Sequence, residues 1–266
     1  MLEFIDLLIV DEAGQVSPEV AGASFALAKK ALIVGDVLQI EPVWSLNKQI
    51  DAGNLKRHML IEKFEDADAI HDLGISATQG NVMKTAQRAS KYQKFADFER
   101  GMFLAEHRRC VPEIIKYCNE LAYNGRLIPK RKSVVSFPLP HIGYAHINAQ
   151  SRKINGSREN RIEAEVLARW IAENAEFLKE IYQDKKLGLS EIVGIVTPFR
   201  RQARLIGEKL REFGINEKIK VGSVHSLQGA ERPIVIFSAV HGTDDKSYFF
   251  ERDGKPNMLS VAVSRA

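Results

Sequence analysis

Two short apolar runs bracket one helix's worth of chain, and that spacing constrains the fold more than any other feature of the sequence. The first, FIDLLIVDEA, stops abruptly at Asp11 and Glu12, and the second, KKALIVGD, stops the same way at Gly35 and Asp36. Between them VSPEVAGASFALA carries a helix start, with Ser17 as N-cap and Pro18 in the first turn, where its missing N–H leaves no gap. Strand, helix and strand in that order make a parallel βαβ unit. Runs apolar at nearly every position predict strands buried on both faces. The fold class is therefore α/β with a parallel sheet.

The rest of the chain continues the alternation. From Trp44 to about Arg100 it is mostly polar, and FEDADAIHDL and VMKTAQRASKYQKFADF predict helices. RRCVPEIIKYCNELAYNG predicts another: Ile114, Ile115, Cys118 and Leu121 or Ala122 fall at helical spacing, and Gly125 ends it. KRKSVVSFPLPHIG is a Pro-broken loop or edge segment, and SRENRIEAEVLARWIAENAEFLKEIY one long amphipathic helix. EIVGIVTPF reads as a buried strand, RRQARLIGEKLREFG as a helix, and KIKVGSVHSLQG and RPIVIFSAV as two further strands.

Composition excludes several classes. With 45% hydrophobic and 27% charged residues in 266, the chain is of ordinary soluble globular type. No apolar run approaches the roughly 20 residues that span a membrane. The opening MLEFIDLLIVDE lacks the basic start and small-residue cleavage site of a signal peptide. Two cysteines, Cys110 and Cys118, are too few for a disulfide framework or a zinc site by themselves, and read as helix packing residues. A reduced, cytoplasmic setting is the default, with the nucleus compatible in a eukaryote. The charge of +4 and pI near 8.9 permit nucleic acid without requiring it. The densest basic run, RLIPKRK at Arg126–Lys132, reads as a surface loop. Oligomeric state is not encoded in any recognisable pattern.

The chemistry concentrates at the strand ends. An acid at the end of a parallel strand can hold magnesium against phosphate oxygens, and a second acid can take a proton from an attacking water. Neighbouring side chains at a strand end point in different directions, so Asp11 and Glu12 can divide these tasks. Taken alone, the same pair also reads as a solvated acidic turn. Gly35 permits a tight turn at the second strand end, which offers Asp36 and Gln39 at the edge where α/β sheets bind ligands.

VDEAGQ followed by VGDVLQIEPV resembles motifs II and III of the superfamily 1 helicases, in the branch of the RNA-surveillance (nonsense-decay) and DNA-replication helicases. LAEHRRCVPEIIKYCNELAYNGRL resembles motif IV and its following helix, and IVGIVTPFRRQ the segment that touches the nucleic-acid backbone. VGSVHSLQGAERPIVIFSAV resembles motif V and NMLSVAVSRA motif VI. The segments stand in family order over nearly the whole chain. The resemblance implies RecA-like P-loop NTPase sheets: residues 1–104 as the remainder of a first domain, with a helical insertion at about 44–100, and residues 105–266 as most of a second. It also implies ATP, Mg2+ and single-stranded DNA or RNA as ligands, and movement coupled to hydrolysis.

Residue by residue, the resemblance implies that Asp11 holds magnesium and Glu12 activates water. Gln15 and Gln39 contact the γ-phosphate or the water, and Gly35 and Asp36 shape the turn. Arg109 and Arg265 reach the γ-phosphate, Arg265 as an arginine finger. Gln228, Gly229 and Glu231 line the nucleotide side of the cleft, and Thr197, Pro198, Ser223 and His225 lie nearer the nucleic acid. The residues themselves allow plainer readings. Arg109 could be a solvated helix start, His225 a surface histidine, and Phe199 core rather than a base-stacking ring.

Two departures from the pattern stand out. Ser260 replaces the asparagine common in motif VI, and no GxxxxGK[ST] phosphate loop occurs anywhere in the chain. The resemblance places that loop upstream of motif II. Both ends therefore read as cuts through a longer protein whose upstream segment supplies the cradle, and the isolated chain is expected to lack ATPase. Alternatives are a non-catalytic nucleic-acid-binding or scaffolding piece, and a metal-dependent nuclease or phosphohydrolase using Asp11, Glu12 and Asp36.

Overall fold

The computed structural model describes residues 3–42, 44–133, 137–227, 231–242, 245 and 257–265, with the backbone alone for residues 225, 227 and 257. The chain divides into two compact units, Met1–Leu104 and Ala105–Ala266.

In the first unit the two apolar runs form β1 (Leu8–Val10) and β2 (Ala31–Ile33), joined by α1 (Pro18–Ala26). They pair in parallel with Leu8 opposite Ala31, Ile9 opposite Leu32 and Val10 opposite Ile33. Pro18 opens α1 as expected, with Ser17 extended at the N-cap. The expectation of two buried faces does not hold. Ile9 is 60% and Leu32 51% exposed, whereas Val10 and Ile33 pack onto Ala13, Ala21, Phe25 and Val82. Only one face is covered, by α1 and by α4 (Val82–Ala89), so apolarity at every position does not translate into burial on both sides. An open apolar groove of about 530 Å3, lined by residues such as Pro18, Phe25, Ile33, Ile75 and Val82, lies beside that face.

The polar stretch after β2 forms α2 (Lys48–Arg57), α3 (Ala67–Asp72) and α4. Asn47 and Asn81 cap α2 and α4, accepting from Gln49 N and Lys84 N. A buried carboxylate, Asp51, ties α2 to α3 and to the loop that precedes α4. Its Oδ2 accepts from Ser76 Oγ at 2.9 Å and Thr78 Oγ1 at 3.3 Å, and lies 3.7 Å from His71 Nε2. The helix expected to run through KYQKFADF stops at Ala89. Ser90 Oγ accepts from Tyr92 N, a local turn that competes with helix. Beyond it Phe95, Phe98 and Phe103 close on one another edge-on or tilted.

The second unit begins with β3 (Glu106–His107), α5 (Pro112–Ala122) and β4 (Ile128–Pro129), the two strands pairing in parallel. Next comes an antiparallel hairpin, β5 (Arg152–Ile154) and β6 (Ser157–Glu159), turning through Asn155 and Gly156, both left-handed. Asn-Gly is the favoured turn of a two-residue hairpin. Residues 157–159, expected to begin a helix, are therefore strand. The long helix is also broken. Here α6 (Arg161–Glu173) ends at Asn174, whose side chain donates to Trp170 O at 2.8 Å, and α7 (Ala175–Ile181) follows.

A short α8 (Leu189–Ile192) leads into β7 (Val193–Val196), then α9 (Arg200–Glu212), β8 (Lys220–Gly222), β9 (Ile234–Phe237) and α10 (Asn257–Val263). The strands lie in the order β8-β7-β9, all parallel. Every residue of β7 is buried, and Val193 and Ile195 share one core with Leu167 and Ile171 of α6 and Ile206 and Leu210 of α9. A second cluster joins α5 to α10. Cys110 and Cys118 are buried there, their thiols at 3.4 Å from Ser264 O and Ser260 O, with Val263 alongside. Both cysteines are packing residues, as read. Among the described residues, no helix is long and apolar enough to cross a membrane.

Candidate nucleotide and nucleic-acid sites

At the carboxyl end of β1 the chain turns sharply. Glu12 adopts a left-handed conformation, φ 51° and ψ 36°, and its N–H donates to Asp11 Oδ1 at 2.8 Å. Its own Oε2 accepts from Gln15 Nε2 at 2.9 Å. The turn after β2 repeats the device: Asp36 Oδ1 accepts from Leu38 N, and its Oδ2 from Gln39 Nε2 at 3.2 Å. Each turn thus pairs an acid with a glutamine three residues on.

The turns touch through bare backbone. Ala13 N donates to Val34 O at 2.9 Å. A Cβ on Gly14 would sit 2.8 Å from Asp36 O, and one on Gly35 would sit 2.9 Å from the nitrogens of Ala13 and Gly14. Only glycine at both positions lets the loops approach so closely. The helical stretch braces them from below, since Val82 N donates to Val16 O at 2.9 Å, Lys84 pairs with Glu41 at 2.7 Å and Trp44 Nε1 donates to Gly80 O at 3.0 Å. Asp11, Glu12, Gln15, Gly35, Asp36 and Gln39 are therefore gathered at one strand-end edge.

In the second unit Arg109 follows β3 and forms an ion pair with Glu231, Nε to Oε1 at 2.8 Å. The Arg131 guanidinium donates to Arg109 O. His107 accepts from Cys110 N through Nε2 at 2.9 Å, and burial followed by the nearby Arg109 charge holds it below the ordinary histidine value, so it stays a neutral acceptor. Burial pushes both Cys110 and Cys118 up to about 11.

Parallel pairing aligns the ends of the three-stranded sheet. Thr197 N donates to Gly222 O and Ser238 N to Val196 O, each at 2.9 Å, so Ser223, Thr197 and Ser238 follow neighbouring strands. Thr197 is 1% exposed with its hydroxyl buried, whereas Pro198 and Ser223 are half-buried. Arg265 lies just after α10 and is 3% exposed, its carbonyl accepting from Arg232 N. Gln228 and Gly229 lie outside the described residues, as does the His225 side chain. Phe199, read as core, is half-buried and meets His241 edge-on at 5.4 Å.

Sequence reasoning passed over one group. Asn160, Glu163, Gln202 and Val240 gather at the same strand ends through the bonds Asn160 N to Gln202 Oε1, Asn160 Nδ2 to Val240 O and Val240 N to Glu163, and His241 follows directly. A signal was present in NRIE, an N-cap followed three residues later by an acid.

Parallel strands in both units, with acid-bearing turns after β1 and β2, define an α/β protein of the RecA-like type found in P-loop nucleotide hydrolases. The sequence matches the family described as an AAA domain over residues 86–266, and the chain belongs to it. It is 27% identical to the ATP-dependent helicase NAM7 of Saccharomyces cerevisiae, a match over 97% of this chain and 24% of that protein. It is 24% identical to Regulator of nonsense transcripts 1 of Dictyostelium discoideum, over 97% of this chain and 18% of that protein. It is 23% identical to the DNA replication ATP-dependent helicase/nuclease DNA2 of Gallus gallus, over 98% and 22%. These likenesses place it in the superfamily 1 branch of RNA-surveillance and DNA-replication helicases. The chain spans about a quarter or less of the length of these relatives.

Proposed function

We propose that this chain is the part of an ATP-dependent helicase or translocase that couples hydrolysis to movement on single-stranded DNA or RNA, in the cytoplasm or nucleus. The observation that carries the reading is the back-to-back pair of turns, Glu12 with Gln15 and Asp36 with Gln39, in backbone contact through Gly14 and Gly35. Two acid–glutamine turns on one parallel edge offer carboxylates and amides where a polyphosphate and an attacking water would be held.

Asp11 fits magnesium by the chemistry of its donors. It is one exposed carboxylate, and magnesium commonly takes one or two carboxylates while drawing its other ligands from phosphate and water. When bound, the ion would neutralise charge on the phosphates. Glu12 would accept the proton of the attacking water, with Gln15 holding its carboxylate in place. Gln39, held by Asp36, would contact the γ-phosphate or the water. Arg109 would leave Glu231 to meet the γ-phosphate charge, and Arg265 would act as the arginine finger. Thr197, Pro198, Ser223 and His225 would face the strand. The phosphate cradle, absent from these 266 residues, would come from another segment of the same protein.

The test compares ATP hydrolysis by this chain and by the full-length protein, with and without single strands. The chain alone should be inactive and the full-length protein stimulated by single strands. Glu12→Gln should then silence turnover while ATP still binds, and Arg265→Ala should lower the rate by roughly 10³ to 10⁵. Robust hydrolysis by the chain alone, or near-normal turnover of Glu12→Gln, would remove this reading. Single-strand binding should also fall steeply with salt and show little sequence preference.

A further inference from the structure

Val240 is fully buried and holds φ at +71°, a left-handed conformation that a β-branched residue avoids. Such a conformation persists only where the surroundings enforce it. Here the enforcement comes from the start of α6. Val240 N–H donates to both carboxylate oxygens of Glu163, at 3.0 and 3.3 Å, and Val240 O accepts from Asn160 Nδ2 at 3.2 Å. Asn160 is the N-cap of α6, and its Oδ1 accepts from Glu163 N at 3.1 Å. Gln202 of α9 closes the network. It accepts from Asn160 N at 2.7 Å and donates to Asn160 O and Ser238 Oγ, both at 3.2 Å. Both backbone polar groups of one strained residue are thus held by side chains, and the backbone of Asn160 is itself fixed from a second helix by Gln202.

The clamp acts at the edge that the sheet presents beyond β7 and β9. His241 directly follows Val240, so the left-handed turn sets where its ring goes. That ring meets Phe199 at 5.4 Å and 69°, and Phe199 directly follows Thr197 and Pro198. Burial holds His241 below the ordinary histidine value, so its half-buried ring is a neutral aromatic near neutral pH rather than a cation. An aromatic pair on a strand-end edge is the kind of platform on which bases stack without sequence preference.

We infer that Glu163 and Asn160 are positioning residues: they impose the left-handed turn at Val240 so that His241 and Phe199 form a stacking ledge for one base of a bound single strand. This rests on the single-strand reading above. The alternative occupation of the clamp, holding the α6–β9 junction for stability only, predicts no effect on binding by a folded variant.

The experiment uses the full chain, fluorescein-labelled oligo-dT and oligo-U read by anisotropy at low salt, and hydrogen exchange at the Val240 amide. Glu163→Ala should deprotect that amide and weaken binding about tenfold, the scale of one lost stacking contact. Glu163→Gln keeps an acceptor and should retain protection and most of the affinity. Val240→Gly reaches positive φ without strain and should restore binding in the Glu163→Ala background. A folded Glu163→Ala chain that loses amide protection yet binds like the wild type overturns the inference, and so does failure of Val240→Gly to restore. If Glu163→Ala alone does not fold, His241→Ala decides: about tenfold weaker binding supports the ledge, and unchanged binding overturns it. Wild-type chain that binds neither oligomer overturns the single-strand reading itself, and the ledge with it. Salt-sensitive wild-type binding that ignores all these variants overturns the ledge alone.

Discussion

Each unit of the molecule contains a parallel pair of apolar strands linked through a helix, yet the two pairs live in different surroundings. In the second, β7 runs between β8 and β9 with α6 and α9 packed around it, and all four of its residues are buried. In the first, β1 pairs with β2, and Ile9 of β1 and Leu32 of β2 face outward. The difference teaches that a parallel strand's apolar sequence states what it tolerates, and that burial is decided by what covers each face. The first unit adds polar ties to its small apolar clusters: Asp51 with Ser76 and Thr78, Glu41 with Lys84, Trp44 with Gly80.

The sharpest way to break this contrast is to truncate matched isoleucines. Ile195→Ala in β7 should cost about 2–5 kcal/mol, a cavity in a closed core. Ile9→Ala should stay within about 0.5 kcal/mol, as for an exposed side chain. Urea unfolding followed by a probe in each unit measures both, and comparable losses would mean that the outward face of β1 is covered in solution. The polar ties come next. Asp51→Ala leaves the Ser76 and Thr78 hydroxyls without their buried acceptor and should cost about 1–3 kcal/mol. If it proves as mild as Ile9→Ala, the first unit does not depend on that network.

A smaller effect is electrostatic. Burial raises the Glu163 carboxyl above its ordinary value of 4.5, outweighing the donors from Ser238, Val240 and Ala239 that lower it. A folded-state value raised above the unfolded one gives stability that is present while the acid is protonated and lost as pH rises. The melting temperature of Glu163→Gln relative to wild type should therefore become more favourable as pH rises from about 4 toward 7. A difference that is flat with pH would show that Glu163 is solvated in the folded chain. The smallest expected signal is chemical. With thiols pushed up to about 11 and buried against α10, Cys110 and Cys118 should resist iodoacetamide at neutral pH until the second unit unfolds. Labelling of the folded chain would show that α10 lifts from α5.

Much of the architecture was legible because it rests on local signals. The apolar runs, Pro18, the spacing in α5 and the alternation around β7 each carry their own physics in a few residues. The failures have equally local causes. Asn155-Gly156 is a hairpin turn that the helical pattern after it obscured, and Ser90 and Asn174 end helices through their own side-chain bonds. The gathered turns after β1 and β2 were readable from their acids and glycines. The left-handed Val240 was not, because nothing in a valine announces positive φ; it is imposed by Asn160 and Glu163 from far along the chain.

The contact between Gly14 and Gly35 has a mechanical consequence. Where two loops meet through side chains, a rotamer change can absorb a small displacement. Here carbonyl and amide meet almost directly, with no room for a Cβ between them, so there is no soft layer. A shift of a few tenths of an ångström at Gly14 would push the Asp36 peptide by a similar amount, in the manner of two meshed teeth. The two strand-end turns would then behave as one rigid lever, whose stiffness depends on two missing methyl groups.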